Sequence, residues 1–334
     1  MYKPIIGILL GDSTGVGPEL VAKVAASGFL TEQCRPVIIG DVRVFENGLK
    51  IIGKTTSYYA VEDVAEADWK KGIPVLDQHD QNPAEIVLCK ISAECGKADN
   101  DMIKTAVKLY KDGKIEGFCF APFNKSAMIQ GGCTFESEHH LMANLFGVTG
   151  PFGEINVVGN LCTTRTTSHI PIKEVSNHLT VDSIMRAVEL SYKTLKGMGI
   201  ENPRIAVAAL NPHCGEEGLC GREELDVIIP AIEKAREQGI DAKGPYSSDI
   251  LFIKAFDGEF DSAVTMYHDQ GQIALKLKGF FDGITIAGGQ PAPIVTCAHG
   301  TAYDITGKGT VKTSSFENAV KTCTKMALVN HNQK

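Results

Sequence analysis

The sequence has no long hydrophobic run and no excess of basic charge. No segment approaches the roughly 18 uninterrupted apolar residues that are needed to span a bilayer. Lys and Arg number 33 against 40 Asp and Glu, a net charge of -7, so no basic surface is expected to hold a phosphate backbone. The first apolar run lacks a preceding basic segment and is interrupted by Gly11 and Asp12, unlike a signal peptide. We therefore expect a cytoplasmic protein that binds neither nucleic acid nor membrane.

Paired cysteines and low-complexity segments are also missing. The ten cysteines include no CxxC pair, and a chain of 334 residues can bury a large core without disulfides. We expect these cysteines to be reduced and mostly buried. With 43% hydrophobic and 22% charged residues, the composition is that of a folded globular enzyme. A small molecule is therefore the expected ligand.

Short apolar runs alternate with longer amphipathic stretches along the whole chain. This alternation is typical of an α/β protein built on a largely parallel sheet. The runs predict strands at residues 4–10, 36–40, 117–121, 155–158, 204–210 and 262–267. One helix is predicted to begin after Thr180, which can cap it, and to end near Gly197.

A second helix is predicted over residues 222–238, with Leu225 on its inward face. The acidic pair Glu223 and Glu224 suits the positive end of the helix dipole. Pro230 lies inside this pattern and is expected to kink the helix, because it lacks an N–H and its ring crowds the preceding turn.

Three histidines each follow an apolar or polar strand segment at its carboxyl end. His169 lies in TTRTTSHIP, His213 in RIAVAALNPHCGEEG and His268 in DSAVTMYHDQG. Ligand sites of open α/β sheets form outside the carboxyl ends of the strands, so these side chains are able to converge. Neutral imidazole is a common ligand of divalent metals. A single loop histidine is usually only a solvated side chain, but three at equivalent positions favour a metal site.

The segment GDSTGVGPE at residues 11–19 follows a strand and opens a helix, with Pro18 in its first turn. Such a helix start offers free N–H groups to an anion, although a tight strand-to-helix turn explains the glycines equally well. The segment is neither GxGxxG nor a P-loop, because the required spacing and the lysine are absent.

Two glycine-rich segments lie close together near the carboxyl end of the chain, at residues 288–291 and 299–309. Glycines allow a cofactor to approach the backbone, and Asp304 could accept both hydroxyl groups of an adenosine ribose. The same carboxylate would repel a 2′-phosphate, which favours NAD over NADP. The alternative is a pair of surface turns.

Taken together, these motifs resemble the 4-hydroxythreonine-4-phosphate dehydrogenase (PdxA) family, a group within the isocitrate/isopropylmalate dehydrogenase-like fold. The resemblance runs nearly end to end. It is carried by GDSTGVGPE at 11–19, APFNKSAM at 121–128, TTSHIPI at 166–172, LNPHCGEEG at 210–218, GPYSSDILF at 244–252, YHDQGQIALK at 267–276 and HGTAYDITGKG at 299–309.

The resemblance implies two α/β/α domains around a mixed, largely parallel sheet. Glycine-rich turns at 131–132 and at Gly271 are the plausible crossing points. The expected domains are a discontinuous cofactor-side domain, 1–130 plus 272–334, and a domain for metal, substrate and dimerisation, 131–271.

The resemblance also implies a set of site residues. The metal ligands would be His169, His213 and His268, one of them from the partner subunit of a homodimer with a shared active site, and the metal would be Zn, Mg, Co or Mn. Asp249 and Asp269 would lie near the metal, and Lys276 would bind substrate. The implied NAD-binding residues are Gly289, His299, Gly300, Thr301 and Asp304.

The chain departs from the family at the positions expected to contact substrate. Glu138 and His139 replace a His-Thr pair, and Thr285 and Ile294 replace an Asn and an Arg. These changes remove donor or cationic groups where a phosphate or carboxylate should bind, and a carboxylate at 138 opposes an anion. Two arginines could compensate or could simply be surface charges, namely Arg165 and Arg222.

The expected function is a metal-dependent, NAD-linked oxidation, with decarboxylation, of a hydroxy acid like 4-phosphohydroxy-L-threonine. Lys125, Asp269 or Lys276 would transfer the proton. Other substrates left open are D-threonate or D-erythronate 4-phosphate and an unphosphorylated cyclic diol. Alternatives of another class are a phosphotransacetylase-like acyltransferase and a non-catalytic sugar-acid sensor.

Overall fold

The apolar runs of the sequence form strands in the structure, a computed structural model that describes residues 2–333. All six predicted strands are confirmed, within a few residues at their ends. The strands are β1 (Ile5–Leu9), β2 (Arg35–Gly40), β3 (Tyr58–Val61), β4 (Ile73–Asp77), β5 (Gly117–Phe120), β6 (Gly153–Val158), β7 (Leu161–Arg165), β8 (Arg204–Ala208), β9 (Asp241–Tyr246), β10 (Ser262–Thr265), β11 (Ile284–Gly288) and β12 (Ile294–Cys297).

Helices connect most of these strands, as expected for parallel neighbours. They are α1 (Gly17–Ala26), α2 (Phe29–Gln33), α3 (Val42–Ile52), α4 (Ala93–Lys111), α5 (Lys125–Gln130), α6 (Glu138–Phe146), α7 (Val175–His178), α8 (Val181–Gly197), α9 (Ile229–Glu237), α10 (Ser248–Phe256), α11 (His268–Gly279) and α12 (Ser314–Asn332). No helix within residues 2–333 combines the length and the apolar character that a bilayer crossing requires.

The chain divides into two compact units. Unit 1 is formed by the chain up to Val148 together with the segment from Gln290 onward, and unit 2 by Thr149–Gly289. Both crossings come later than the expected borders at 130 and 271. The first border is later because α6 packs against α4 and so belongs to unit 1. The second is later because α11 and β11 belong to unit 2, where β11 pairs with β6 in antiparallel orientation.

The sheet of unit 1 is parallel throughout. Its strand order is β3, β4, β2, β1, β5, β12. The central strands β1 and β5 are almost wholly buried, which matches their continuous apolar sequences IIGIL and GFCF. A strand that is covered by helices on both faces typically has such a continuous apolar sequence.

The sheet of unit 2 is mixed. Its order is β11, β6, β7, β10, β8, β9, with β6 antiparallel to both of its neighbours. The remaining neighbours, β7, β10, β8 and β9, run parallel to one another. The predicted α/β class with a largely parallel sheet is confirmed.

The first predicted helix is confirmed as α8, which begins after its cap Thr180 and ends at Gly197. The second differs from the prediction. Before α9, the segment Glu224–Ile228 forms a wide π-helical turn, and Ile229 N–H donates to the Glu224 carbonyl. Pro230 accounts for the widening because its ring crowds the carbonyl four residues earlier. The wide turn also buries Glu224 and exposes Leu225, so the inward assignment of Leu225 was wrong.

Six of the ten cysteines are buried, and within residues 2–333 no disulfide is formed. Cys89 and Cys220 are exposed. The expectation of reduced, mostly buried cysteines agrees with this arrangement.

Gly96 sets the distance between α4 and α5. A Cβ at this position would lie 1.9 Å from the Ala127 carbonyl oxygen. We predict that Gly96→Ala lowers the free energy of unfolding by roughly 1–3 kcal/mol, because backbone must move to admit the methyl group. Urea denaturation measures the change. Gly150→Ala is the matched control, since nothing lies within 4 Å of its Cβ position; equal midpoints for both variants would contradict the prediction.

Candidate active site

The three predicted histidine ligands follow three adjacent parallel strands of unit 2. His169 follows β7, His268 follows β10 and His213 follows β8, in the spatial order β7, β10, β8. All three therefore lie at the carboxyl edge of one sheet, as the sequence predicted. The rings of His169 and His268 are close together, with centroids 5.6 Å apart.

His268 is oriented by its neighbour in the chain. Its Nδ1 lies 2.7 Å from Asp269 Oδ1 at the start of α11. Because a carboxylate oxygen can only accept, Nδ1 is the donor of this hydrogen bond. This arrangement resembles the outer carboxylate that commonly orients a metal-binding histidine.

His213 lies in a backbone turn of unusual hand. Residues 213–217 all have positive φ, between 45° and 78°, and four of the five are not glycine. The side chain of His213 is exposed. The pKa of Asp249 is lowered first by the hydrogen bond from the Ser247 hydroxyl and to a smaller extent by the proximity of His213.

Within residues 2–333 of one chain, no group of three or more His, Cys, Asp or Glu side chains is arranged to hold a metal ion. The structure thus brings His169 and His268 together but does not complete a three-ligand site with His213. The donor chemistry nevertheless fits a divalent cation, because two adjacent imidazoles, one oriented by a carboxylate, supply two nitrogen ligands.

The glycine-rich segment 11–19 is closed by other parts of unit 1. Val16 N–H, at the start of α1, donates to the Thr301 carbonyl oxygen. A Cβ on Gly15 would lie 2.7 Å from the Thr301 Cβ. The helix start is therefore already occupied by protein, and the structure favours the tight-turn interpretation over an anion site.

A partly buried polar network joins this segment to the 299–309 loop. The Tyr303 hydroxyl lies 2.8 Å from Thr14 Oγ1 and accepts a hydrogen bond from Asn124 Nδ2 at 2.9 Å. Thr14 also donates to Asp12, which is fully buried. Burial raises the pKa of Asp12, and the Thr14 hydrogen bonds offset only part of this effect.

The predicted cofactor residues lie mostly on the loop between β12 and α12. His299 is half-buried, Gly300 and Asp304 are exposed, and Thr301 contacts the turn described above. Burial opposes charge on His299, but the Cys297 sulfur and the Gly300 carbonyl outweigh it and raise its pKa to about 9. Gly289 is the last residue of unit 2 and is exposed, with φ +78°.

The predicted substrate residues are distributed differently. Glu138 and His139 begin α6, and their side chains are only 13% and 6% exposed. Thr285 is buried, and its hydroxyl accepts from Asn156 Nδ2 at 3.0 Å. Ile294 is fully buried beside Phe118 of β5, so in this structure it is a core contact.

The predicted proton-transfer groups are accessible. Lys125 is the exposed first residue of α5, in unit 1. Asp269 and Lys276 are both exposed on α11, in unit 2.

Both arginines that were considered as compensating cations have a carboxylate partner. Arg165 is 10% exposed and pairs with Glu154 at 2.6 Å while donating to Asn156 at 2.9 Å. Arg222 pairs with Asp226 at 2.9 Å on the surface. Arg222 therefore fits the surface-charge alternative, and Arg165 is committed to its own network.

One residue of the site was missed by sequence reasoning. Glu224 was interpreted only as one of two acidic residues that suit the positive end of a helix dipole. It is instead 1% exposed and bonded to the end of β8. Nothing in the sequence distinguishes it from Glu223, because burial here depends on the wide turn that follows.

An α/β sheet with histidines at the carboxyl ends of its parallel strands is an architecture found in many α/β enzymes. The chain belongs to the PdxA family: the family model described as "Pyridoxal phosphate biosynthetic protein PdxA" matches residues 32–323.

Curated relatives and solved structures agree with this assignment. The chain is 37% identical over 322 residues to a 4-hydroxythreonine-4-phosphate dehydrogenase of Desulforapulum autotrophicum, covering 96% of this chain and 94% of the relative. It is 38% identical over 323 residues to a D-threonate 4-phosphate dehydrogenase of Cupriavidus necator, covering 96% of each. A crystal structure of a 4-hydroxythreonine-4-phosphate dehydrogenase from Burkholderia phymatum matches with a TM-score of 0.84 and 36% identity, covering 98% of this chain and 99% of the other.

More distant structures share the fold alone. A terephthalate 1,2-cis-dihydrodiol dehydrogenase from Burkholderia xenovorans has a TM-score of 0.66 at 24% identity. A phosphotransacetylase from Staphylococcus aureus has a TM-score of 0.50 at 13% identity.

The Tyr303 hydroxyl links the two loops of unit 1. We predict that Tyr303→Phe lowers the free energy of unfolding by about 1–2 kcal/mol, because it removes the acceptor of Asn124 Nδ2 and one of the hydrogen bonds of Thr14. Thermal or urea unfolding measures the loss. Tyr192→Phe, which removes the same hydroxyl from a half-buried tyrosine outside this network, is the control. A similar loss in both variants would argue against the network.

Proposed function

We propose that this chain is an NAD-linked, divalent-metal-dependent dehydrogenase that oxidises a phosphorylated four-carbon hydroxy acid, with loss of carbon dioxide. The reference substrate is 4-phosphohydroxy-L-threonine. The observation that carries the proposal is the pair of adjacent imidazoles, His169 and His268, at the carboxyl edge of parallel strands in a chain of this family.

The metal is proposed to bind to His169, His213 and His268. A divalent ion, when bound, supplies a Lewis acid that lowers the pKa of a substrate hydroxyl and polarises the carbonyl that forms. His169 and His268 are neighbours within one chain, whereas His213 completes no three-ligand group with them within residues 2–333 of that chain. We propose that a homodimer completes the site, with one histidine contributed by the partner subunit.

Asp269 is proposed to keep the His268 ring in place. Its Oδ1 accepts from His268 Nδ1, which directs Nε2 toward a ligand. A positioned side chain must also take the proton of the substrate hydroxyl. Lys125, Lys276 and Asp269 are the exposed candidates for this transfer.

NAD, when bound, supplies the hydride acceptor. Its adenosine half is proposed to lie against the loop of His299, Gly300, Thr301 and Asp304. Asp304 is exposed and therefore accessible to ribose hydroxyl groups. Its carboxylate favours a free 2′-hydroxyl over a 2′-phosphate.

Decarboxylation follows from the chemistry of the substrate. When the oxidised carbon lies β to a carboxylate, the ketone product is a β-keto acid. Cleavage of the bond to the carboxyl carbon leaves an enolate, which is then protonated by an acid of the site.

The group on the carbon next to the substrate carboxylate, amino or hydroxyl, is the open choice. A relative named D-threonate 4-phosphate dehydrogenase is as similar to this chain as those named 4-hydroxythreonine-4-phosphate dehydrogenase. We therefore propose D-threonate 4-phosphate, with its D-erythronate counterpart, as the second candidate. The partly buried Glu138, the buried His139 and the changed positions 285 and 294 are where this chain would discriminate between the two.

We predict that the protein reduces NAD with one of these phosphorylated acids in the presence of Zn, Mg, Co or Mn. The rate of nicotinamide reduction is followed by absorbance for each acid, with NADP and with unphosphorylated analogues as controls. Exhaustive chelation should abolish activity, and added metal should restore it. Full activity after metal removal would refute the histidine site, and no reduction with any acid would favour the acyltransferase or sensor alternatives.

A shared site makes a prediction about mixed dimers. His213→Ala and His268→Ala should each be inactive alone. If their ligands come from different subunits, refolding the two variants together creates one intact site in each heterodimer, and about a quarter of the wild-type activity should return. Each variant carried alone through the same refolding is the control. No recovery from a mixture shown to contain heterodimers would place both histidines in the same subunit.

A further inference from the structure

The turn that contains His213 has an unfavourable backbone conformation, which contacts with the surrounding residues must stabilise. Left-handed residues other than glycine each cost roughly 1–2 kcal/mol, and His213, Cys214, Glu216 and Glu217 are all of this kind. Surrounding contacts must therefore fix the turn, because such conformations persist only where the structure over-determines them.

Glu224 supplies contacts to the segment that leads into the turn. Its Oε1 accepts from the backbone N–H of Leu210 at 2.8 Å and of Asn211 at 2.7 Å. Its Oε2 accepts from Asn211 Nδ2 at 2.9 Å. Three donors at the end of β8 thus converge on one buried carboxylate.

The carboxylate also fills the inner side of the turn. A Cβ on Gly215 would lie 2.6 Å from Glu224 Oε2, so the glycine backbone and the carboxylate are packed together. Gly215 is the buried residue of the turn and has φ +78°.

Glu223 reinforces the arrangement from the outside. Its Oε2 accepts from Asn211 Nδ2 at 2.7 Å, and its Oε1 accepts from Ser176 at 2.6 Å. Asn211 is therefore held by two adjacent glutamates, two residues before His213.

We infer that Glu224 is a positioning residue: its carboxylate locks the end of β8 and the left-handed turn so that the imidazole of His213 is preset for the metal. The inference rests on the proposed function, since it assigns Glu224 a role in a site built from His213. Glu224 itself contacts neither metal nor substrate in this scheme. It acts through the backbone of residues 210–215.

Glu224→Gln tests the inference with little change in shape. The new NH2 group is a donor and must face one of the three N–H donors that the carboxylate now accepts, so at least one hydrogen bond is lost. The turn should then sample other conformations. Glu233→Gln, an exposed residue of α9, makes the same charge change outside the site and is the matched control.

The readout is the affinity of the metal-free protein for Co²⁺ alone, measured by the visible absorption of the bound ion. Loss of an outer contact to a metal ligand typically costs 10–100-fold in affinity, so we expect a loss of at least about tenfold for Glu224→Gln and none for Glu233→Gln. Hydrogen exchange of the backbone amides should become faster at residues 209–221 and stay unchanged on the remaining strands of unit 2.

His213→Ala calibrates the measurement. If it weakens Co²⁺ binding while Glu224→Gln binds as tightly as the wild type, the positioning role is overturned and the metal site stands. If His213→Ala has no effect, the proposed metal site fails, and the role of Glu224 fails with it. Should Glu224→Gln not fold, Asn211→Ala replaces it, because it removes only the side-chain bonds to the two glutamates. A smaller loss of Co²⁺ affinity is expected there, and unchanged affinity overturns the inference.

Discussion

The parallel alignment of β7, β10 and β8 is the constraint on which the candidate site depends. Parallel neighbours end at the same edge of a sheet, so the loops that follow them are brought together whatever their separation in sequence. His169, His213 and His268 are spread over about 100 residues of chain, yet all three lie at this edge. A reversal of any one of these strands would send its histidine to the opposite edge.

In unit 1, hydrogen bonds between loops hold two separate segments of the chain together. The glycine turn after β1 and the loop after β12 interlock: Val16 donates to Thr301, and Tyr303 binds Thr14 and Asn124. Such buried polar networks specify one arrangement because every unmatched donor would be costly. The segment that looked able to bind an anion is thus part of the scaffold that holds the predicted cofactor loop.

Several features followed correctly from the residues. Apolar runs flanked by glycine and polar residues predicted six strands, because burial on both faces demands continuous hydrophobic sequence. Thr180 predicted the start of α8 because its side chain satisfies an N–H that the helix leaves free. The placement of histidines after strands followed from the same reasoning. The positions of the domain crossings and the inward face of the segment before α9 could not be predicted from the residues, since they depend on which elements pack together.

The sequence by itself therefore determined the α/β class, the strand positions and the residue types present at the candidate site. Only the tertiary structure decided that His169 and His268 are neighbours, that Ile294 is a core residue and that Arg165 is committed to Glu154. It also decided that Glu224, indistinguishable from Glu223 along the chain, is the buried one. The physical reason is that local periodicity encodes which face of an element is apolar, whereas hydrogen-bond partners and burial of single polar groups arise only when distant segments meet.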